Sequence, residues 1–276
     1  MKNKNTSSVK TRLLYSLAML AVSAVVLTTA SYAWFSISNQ PKVEDITLTA
    51  GTFGGLTISK TNTGTFGNTV NLSTDIGNNT VLRPITTPNG KDFYKPVYGT
   101  SGKVTGVENS KVSDLTTISN KTQADGGYIA SSTFYLKATG GSRSSVKVQL
   151  AAGTKVANKD SGQAAYAARI AFVLDNGTCV VFEPNADGSA TGASTDQYAM
   201  ASSLTTIKQS TNGKFKATSG ATYSSDVSAD LFEIPVDTAT KVTVYIWIEG
   251  SDKDCVNEIA SKVLTTSLQF TSTDLQ

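Results

Sequence analysis

Apolar and polar residues alternate along several short stretches of the chain, with the period of two that predicts β-strands. The clearest stretch is residues 241–249, KVTVYIWIE, where valines and isoleucines share one face and Thr243, Tyr245 and Trp247 share the other. Because the second face is also largely apolar, we expect a central strand that is covered on both sides.

Further strands are predicted over residues 43–50, 128–138, 146–150, 170–174, 179–182 and 263–270. The dipeptide Asn176-Gly177 separates two of them and is a strong signal for a β-hairpin. One or two short helices are expected. Residues 164–168, the alanine-rich start of the apolar run 164–174, form a short helix as the alternative to a strand, and another is expected over residues 199–207.

Two long segments, residues 60–125 and 185–225, are rich in Gly, Asn, Ser and Thr. Such residues favour turns, so we predict long surface connections there; the first segment alternatively forms a small inserted subdomain. The chain has many short strand patterns and few stretches with the apolar periodicity of a helix. We therefore predict an all-β fold, an antiparallel β-sandwich with long loops. A jelly roll is one form of it, and strand spacing alone does not distinguish it from an immunoglobulin-like sandwich.

Composition agrees with this fold class, since hydrophobic residues make up 39% of the 276 residues and charged residues only 16%. Uncharged polar residues therefore have to form the solvent-exposed faces of the elements, which suits strands better than helices. The net charge is +3, and several positive charges lie in the first twelve residues. We therefore expect no nucleic-acid partner.

The N-terminus has the layout of a secretory signal helix. Residues 1–12 are polar and basic, residues 13–30 are uncharged and largely apolar, and small residues follow. Cleavage after Ala33 places Ser31 at position −3 and leaves Trp34 as the first mature residue; cleavage after Ala30 is a second option. The alternative is a retained membrane anchor, because residues 13–35 are long enough to span a bilayer.

Residues 31–36, SYAWFS, resemble the T-[WY]-A-x-F junction of the TasA/camelysin family, and residues 47–59, TLTAGTFGGLTIS, resemble its segment x-F-x-[AS]-G-T-L-x-[LI]. An insertion, Phe53-Gly54-Gly55, interrupts the second match, and the motifs cover residues 13–60. Members are exported proteins of Gram-positive bacteria that a SipW-type signal peptidase processes. The resemblance implies the same export route, a secreted or cell-surface location and the same sandwich fold.

Relatives of the camelysin type carry a metallopeptidase label, but this chain contains no histidine. It therefore has no HExxH zinc motif and no Ser-His-Asp or Cys-His site. We predict that the protein is not an enzyme and that it uses no cofactor.

The function hypothesis is a structural subunit of an extracellular fibre or biofilm matrix. Residues 1–33 are assigned to the signal peptide, 34–48 to an extended arm and 49–276 to the sandwich. The arm is expected to donate a strand to the next subunit, through residues Trp34, Phe35, Ile37, Val43, Ile46 and Leu48.

Partners are then other copies of the chain, and other matrix or cell-surface components; the membrane is contacted only through the uncleaved precursor. The alternative function is a monomeric cell-surface adhesin or carbohydrate-binding module, with its site in the long loops of residues 60–125 and 185–225.

Two further groups of residues are candidates for covalent or metal chemistry. Cys179 and Cys255 are expected to form a disulfide in an exported protein, and the alternative is two buried free thiols. Asp252, Asp254 and Asn257 offer oxygen ligands to calcium, although their spacing does not fit an EF-hand. An ordinary turn, with side chains bonded to the local backbone, is the simpler interpretation, so no metal site is predicted.

Overall fold

A computed structural model describes about three fifths of the chain. The described residues are 11, 13–20, 42–50, 55–76, 80–87, 92–98, 104–108, 110–112, 119–121, 127–140, 142–151, 154–159, 164–182, 207–209, 215–217, 222–224, 230–250, 252, 255 and 262–272.

Strands dominate this part of the chain. They are β1 (Lys42–Ala50), β2 (Leu56–Ser59), β3 (Thr69–Asn71), β4 (Thr80–Val81), β5 (Pro96–Tyr98), β6 (Val104–Val107), β7 (Ile129–Ala138), β8 (Ser145–Leu150), β9 (Lys155–Asn158), β10 (Ala168–Leu174), β11 (Cys179–Phe182), β12 (Ile207–Gln209), β13 (Phe215–Ala217), β14 (Thr222–Ser224), β15 (Asp230–Pro235), β16 (Thr240–Ile248) and β17 (Val263–Thr271). Residues 13–20 are helical (α1), a short helix α2 spans Ser73–Ile76, and a 3₁₀ turn spans Ala164–Tyr166.

The strands form two large sheets. The first sheet has seven strands in the order β15-β8-β17-β1-β3, with β4 also paired to β1 and β9 to β17. The second has six strands in the order β14-β11-β10-β16-β7-β2. Two small ribbons, β5-β6 and β12-β13, complete the described strands. The all-β prediction is confirmed.

The prediction of purely antiparallel pairing is wrong at two places. β1 pairs with β17 in parallel, and β11 pairs with β14 in parallel. The first pair joins the N-terminal strand to the C-terminal strand, so no hairpin links them. A sequence pattern of period two is the same for both strand directions, which is why it does not reveal parallel pairing.

Two predictions are confirmed, one of a strand and one of a hairpin. The strand predicted over residues 241–249 is β16, which lies inside the second sheet between β10 and β7. β10 and β11 form the predicted hairpin, with Gly177 at a φ of 86° in the turn. Glycine adopts this left-handed conformation without the penalty that a Cβ would impose.

Side chains from both sheets meet in one hydrophobic cluster. Phe270 of the first sheet contacts Phe134 and Phe172 of the second, with ring centroids 5.4 Å and 5.6 Å apart. Phe172 also contacts Phe232 of β15, at 6.3 Å. All four rings are buried. The inward faces of the two sheets therefore supply the main core.

A second, smaller cluster covers part of the outer face of the second sheet. Phe93 meets Trp247 edge-on, with centroids 5.3 Å apart, and Ile85 is buried beside them. Both Ile85 and Phe93 come from the segment that the sequence predicted as surface connections. This segment instead buries Trp247 of β16, which explains why β16 is apolar on both faces.

Candidate functional site

The first strand of the domain, β1, is an internal strand. On one side it pairs with β17 from Lys42 to Ala50. On the other side it pairs with β4 at its beginning and with β3 near its end. The N-terminal strand therefore fills a slot between the last strand of the chain and two short strands.

The inward face of β1 belongs to the main core. Val43, Ile46, Leu48 and Ala50 are each at most 1% exposed. Burial of a large aliphatic side chain contributes about 1.5–3 kcal/mol, so these residues anchor β1 firmly in the sheet.

This placement corrects the predicted arm of residues 34–48. Val43, Ile46 and Leu48 were expected to reach a neighbouring subunit, but they complete the sheet of their own chain. Because the first sheet already includes Lys42, a domain boundary after residue 48 would cut through β1. The other predicted donor residues, Trp34, Phe35 and Ile37, and the cleavage-site residues Ser31 and Ala33 lie outside the described residues.

An irregularity interrupts β1 near its middle. Its register with β17 shifts between Glu44 and Ile46, and the extra residue, Asp45, has a φ of 50°. This left-handed conformation is costly for most residues that carry a Cβ, although Asp tolerates it better than most. A β-bulge therefore places one strained residue in the strand.

Two further features lie at this bulge. Lys159 Nζ donates a hydrogen bond to Glu44 Oε2 at 2.7 Å and lies 3.6 Å from Asp45 Oδ2, and these carboxylates raise the pKa of Lys159. Thr266, the register partner of Ile46, is 1% exposed, and its Oγ1 has no hydrogen-bond partner. A buried hydroxyl without a partner costs about 1–3 kcal/mol.

The C-terminal end of β15, an edge strand of the first sheet, is tied to both sheets. Val236 N donates to Ser144 O next to β8, at 3.0 Å, and Asp237 N donates to Ala138 O of β7, at 2.7 Å. Pro235, which has no N–H, is the last residue of β15 and pairs with Ser145 of β8. A proline and a connection to the other sheet both hinder the addition of another strand at this edge.

A buried cluster of charges lies after β16. Arg169 Nη2 donates to Asp252 Oδ2 at 2.5 Å, and Trp247 Nε1 donates to Glu249 Oε2 at 3.1 Å. Arg169 also donates to Ala168 O at 3.0 Å. All four of the polar or aromatic side chains are at most 5% exposed.

Sequence reasoning did not identify Arg169 as part of a cluster. The sequence offers one indication of such a cluster: Arg169 is the single charged residue in the apolar strand ARIAFVL. A buried cation of this kind requires a buried anion nearby. That anion is Asp252, which the sequence had offered as a weak calcium ligand. The Arg169 guanidinium occupies the carboxylate, so Asp252 is not free to bind a cation; Asp254 and Asn257 lie outside the described residues.

The predicted disulfide is corrected as well. Cys179 and Cys255 are both free and buried. Cys179 belongs to the second cluster and Cys255 to the main core, so the two thiols belong to different packing layers. Burial raises the pKa of the Cys255 thiol above its ordinary value, an effect that Asp252 reinforces. A thiol that stays protonated is a poor nucleophile.

Comparisons with protein-family models, curated proteins and solved structures give the same result. None of the three finds a match. Among the described residues, no helix has the length and apolar character that crossing a membrane requires. The same residues contain no group of three or more His, Cys, Asp or Glu side chains suited to a metal ion.

Proposed function

We propose that this protein is a secreted structural subunit of an extracellular fibre or biofilm matrix, and that its subunits assemble by exchanging the N-terminal strand. The proposed mature chain begins at Trp34 after signal cleavage. Its two large sheets pack as a β-sandwich of the jelly-roll type. Residues 34–41 and β1 together form the exchanged segment, which replaces the arm of residues 34–48.

The position of β1 is the observation that carries this proposal. β1 is internal, and it is also the first of the described strands along the chain. It can leave the slot between β17 and β3 without threading the chain through a loop. The β1 of another copy then makes the same register and buries the same side chains, so exchange costs little at equilibrium.

Exchange between copies is open-ended. Each subunit gives its β1 to one neighbour and receives β1 from another, so the contact is head-to-tail. Such a contact extends into a filament unless the rotation between subunits closes a ring. Pro235 and the bend toward the second sheet make the C-terminal end of β15 a poor site for edge-to-edge pairing, which supports this route.

Features at the β1 bulge lower the cost of opening the strand, because Asp45 is strained and Thr266 Oγ1 has no hydrogen-bond partner among the described residues. Both features recur when the β1 of another copy takes the same register, so they affect the rate of exchange and not its equilibrium. Burial of Trp34 and Phe35 in the neighbouring subunit then supplies the net gain that drives exchange. Signal cleavage acts as the trigger, because an arm held in the membrane cannot enter a partner.

Electron microscopy and size-exclusion chromatography of the mature chain test this proposal. We expect filaments from residues 34–276 and monomers from residues 42–276, which keep β1 but lack the aromatic arm. Filaments from the shorter chain would contradict the role of the aromatic arm in driving exchange. A chain of residues 34–276 that stays monomeric would favour the alternative, a cell-surface adhesin or carbohydrate-binding module.

A further inference from the structure

The slot that β1 occupies, between β17 and the short strands β3 and β4, gains little selectivity from its apolar contacts. Backbone hydrogen bonds between strands do not depend on the side chains, and aliphatic residues pack against many similar sequences. The inward residues of β1 are all aliphatic, namely Val43, Ile46, Leu48 and Ala50. Another strand with the same alternation would therefore also fit, unless a polar contact excludes it.

The strands on either side of the slot carry no charged residue. β17, β3 and β4 contain no Asp, Glu, Lys or Arg. β1 itself carries two adjacent carboxylates, Glu44 and Asp45, because the bulge adds Asp45 beside Glu44. These carboxylates therefore find no cation on the strands that pair with β1.

Lys159 reaches the two carboxylates from the far side of β17. Thr265 pairs with Glu44 on one side and with Ala157 of β9 on the other, so β17 separates β9 from β1. Lys159 directly follows β9, and its N–H donates to Val263 O of β17 at 2.9 Å. Its side chain extends over β17, and Nζ lies 2.7 Å from Glu44 Oε2 and 3.6 Å from Asp45 Oδ2.

The environment of this contact keeps it ionic. The side chain of Glu44 is 19% exposed, so its carboxylate is partly shielded from solvent. The hydrogen bond with Glu44 raises the pKa of Lys159 above its ordinary value, and the charge of Asp45 adds to this effect. Lys159 therefore stays positively charged beside the slot at neutral pH.

We propose that Lys159 selects the strand that occupies the slot, through the sign of the charges at the β1 bulge. β1 presents two carboxylates to Lys159. Three other strands with apolar alternation, β7, β8 and β16, each contain a single charged residue, which is Lys137, Lys147 or Lys241. A lysine beside Lys159 would be repelled, so these strands are disfavoured and β1 is preferred.

Selection acts first on the β1 of the same chain. In a fibre it acts equally on the β1 of another copy, and this part of the inference rests on the proposed function. A single exposed ion pair contributes little to stability, but selectivity depends on the difference between an attractive and a repulsive contact. A lysine that repels the wrong strand therefore has an effect that stability alone does not reveal.

A competition between two donor chains tests the selection. Both donors carry Thr47→Cys, and one of them also carries Glu44→Lys. The acceptor chains carry Ser267→Cys, with Lys159 either kept or changed in Lys159→Glu. Thr47 and Ser267 are register partners, so oxidised filaments give a mixed dimer for each donor strand that is accepted. The donors are supplied in equal amounts, and mass spectrometry of the linked peptides counts each kind.

Lys147→Glu in the acceptor is the matched control. It reverses the charge of another lysine in the first sheet, which pairs with Asp230 of β15 at 2.9 Å. Lys155, which stands in register with Ser267, is kept in every chain and is therefore the same in every comparison.

We expect the acceptor with Lys159 to take the Glu44 donor over the Glu44→Lys donor by roughly three- to tenfold. The Lys159→Glu acceptor should prefer the Glu44→Lys donor, and the Lys147→Glu acceptor should keep the original preference. In about 1 M NaCl, where the screening length is about 3 Å, both preferences should narrow. Equal capture of the two donors, or one unchanged preference in all acceptors, would overturn the inference and leave strand exchange standing.

A double-mutant cycle in the mature chain before assembly separates this inference from the proposed function. Urea unfolding is compared for Lys159→Glu, Glu44→Lys and the chain that carries both changes. Selection predicts that the double variant is more stable than either single variant, and additive losses would overturn it. If no mixture forms filaments, the proposed function fails, and this cycle alone decides whether Lys159 selects the β1 of its own chain.

Discussion

Arg169 and Asp252 lie 83 positions apart in the sequence and form an ion pair at 2.5 Å, with both side chains at most 1% exposed. Both charged groups are shielded from solvent, so the contact between them stabilises each one. The pair joins β10 of the second sheet to the turn that follows β16. It therefore fixes a turn that Gly250 also anchors, since a Cβ at Gly250 would lie 2.7 Å from Pro96.

Removing one member of this pair should be strongly destabilising. Asp252→Ala removes a buried carboxylate that Arg169 Nη2 bonds, and we expect a loss of about 3–5 kcal/mol in the free energy of unfolding by urea. Lys147→Ala is the control, because it breaks the exposed pair with Asp230 and should cost less than about 1 kcal/mol. Similar losses in the two variants would show that Asp252 is accessible to water.

The two faces of β1 should differ in their contribution to stability. Leu48→Ala creates a cavity in the main core, and we expect it to cost about 2–5 kcal/mol in urea unfolding of the monomer. Thr49→Ala, one position along on the outward face, should cost less than about 1 kcal/mol. A monomer that tolerates Leu48→Ala as well as Thr49→Ala would mean that β1 is not seated in its own sheet.

Gly55 should be far more sensitive to substitution than Gly67. Gly55 has a φ of 74°, and a Cβ there would lie 2.4 Å from Thr139 O, whereas a Cβ at Gly67 would have no neighbour within 4 Å. The left-handed conformation alone costs an L-residue about 1–2 kcal/mol. We expect Gly55→Ala to lower the melting temperature by several degrees and Gly67→Ala to change it little.

The strands and the tight hairpin could be predicted from the sequence because they depend on local sequence patterns. Alternation marked β16 and β17, and Asn176-Gly177 marked the hairpin between β10 and β11. The parallel pair of β1 and β17 was not accessible, since it joins residues more than 200 positions apart. No local pattern specifies such a contact, and only the packed core selects it.

The candidate site was harder to predict for the same reason. The value of Asp252 as a ligand depends on Arg169, which approaches it only after β10 and β16 pair. The disulfide prediction failed likewise, because cysteine count and export indicate pairing without any knowledge of which cluster holds each thiol.

Both thiols should be protected in the native protein. We expect Cys179 and Cys255 to react with a thiol reagent such as DTNB only after denaturation, with two thiols counted per chain. Raising the pH to 9 should not ionise the Cys255 thiol or make it reactive, because burial holds its pKa above the ordinary value. A mass of the native chain that is two hydrogens lower, with no thiol counted after denaturation, would restore the disulfide.

The central claim is that β1 of one copy lies beside β17 of another in the fibre. Lys42 and Val263 are register partners, and paired strands bring Cα atoms to about 4.8 Å, within the range of a disulfide. The most direct measurement mixes a Lys42→Cys chain with a Val263→Cys chain, allows assembly and oxidises the filaments.

Strand exchange predicts covalent dimers that contain one chain of each kind, visible on a non-reducing gel. The double variant, oxidised as a monomer before assembly, should cross-link internally and form no filaments. The unmodified chain, with its buried thiols, should give no cross-link. Filaments that form readily from the mixture but yield no mixed dimer would contradict the claim.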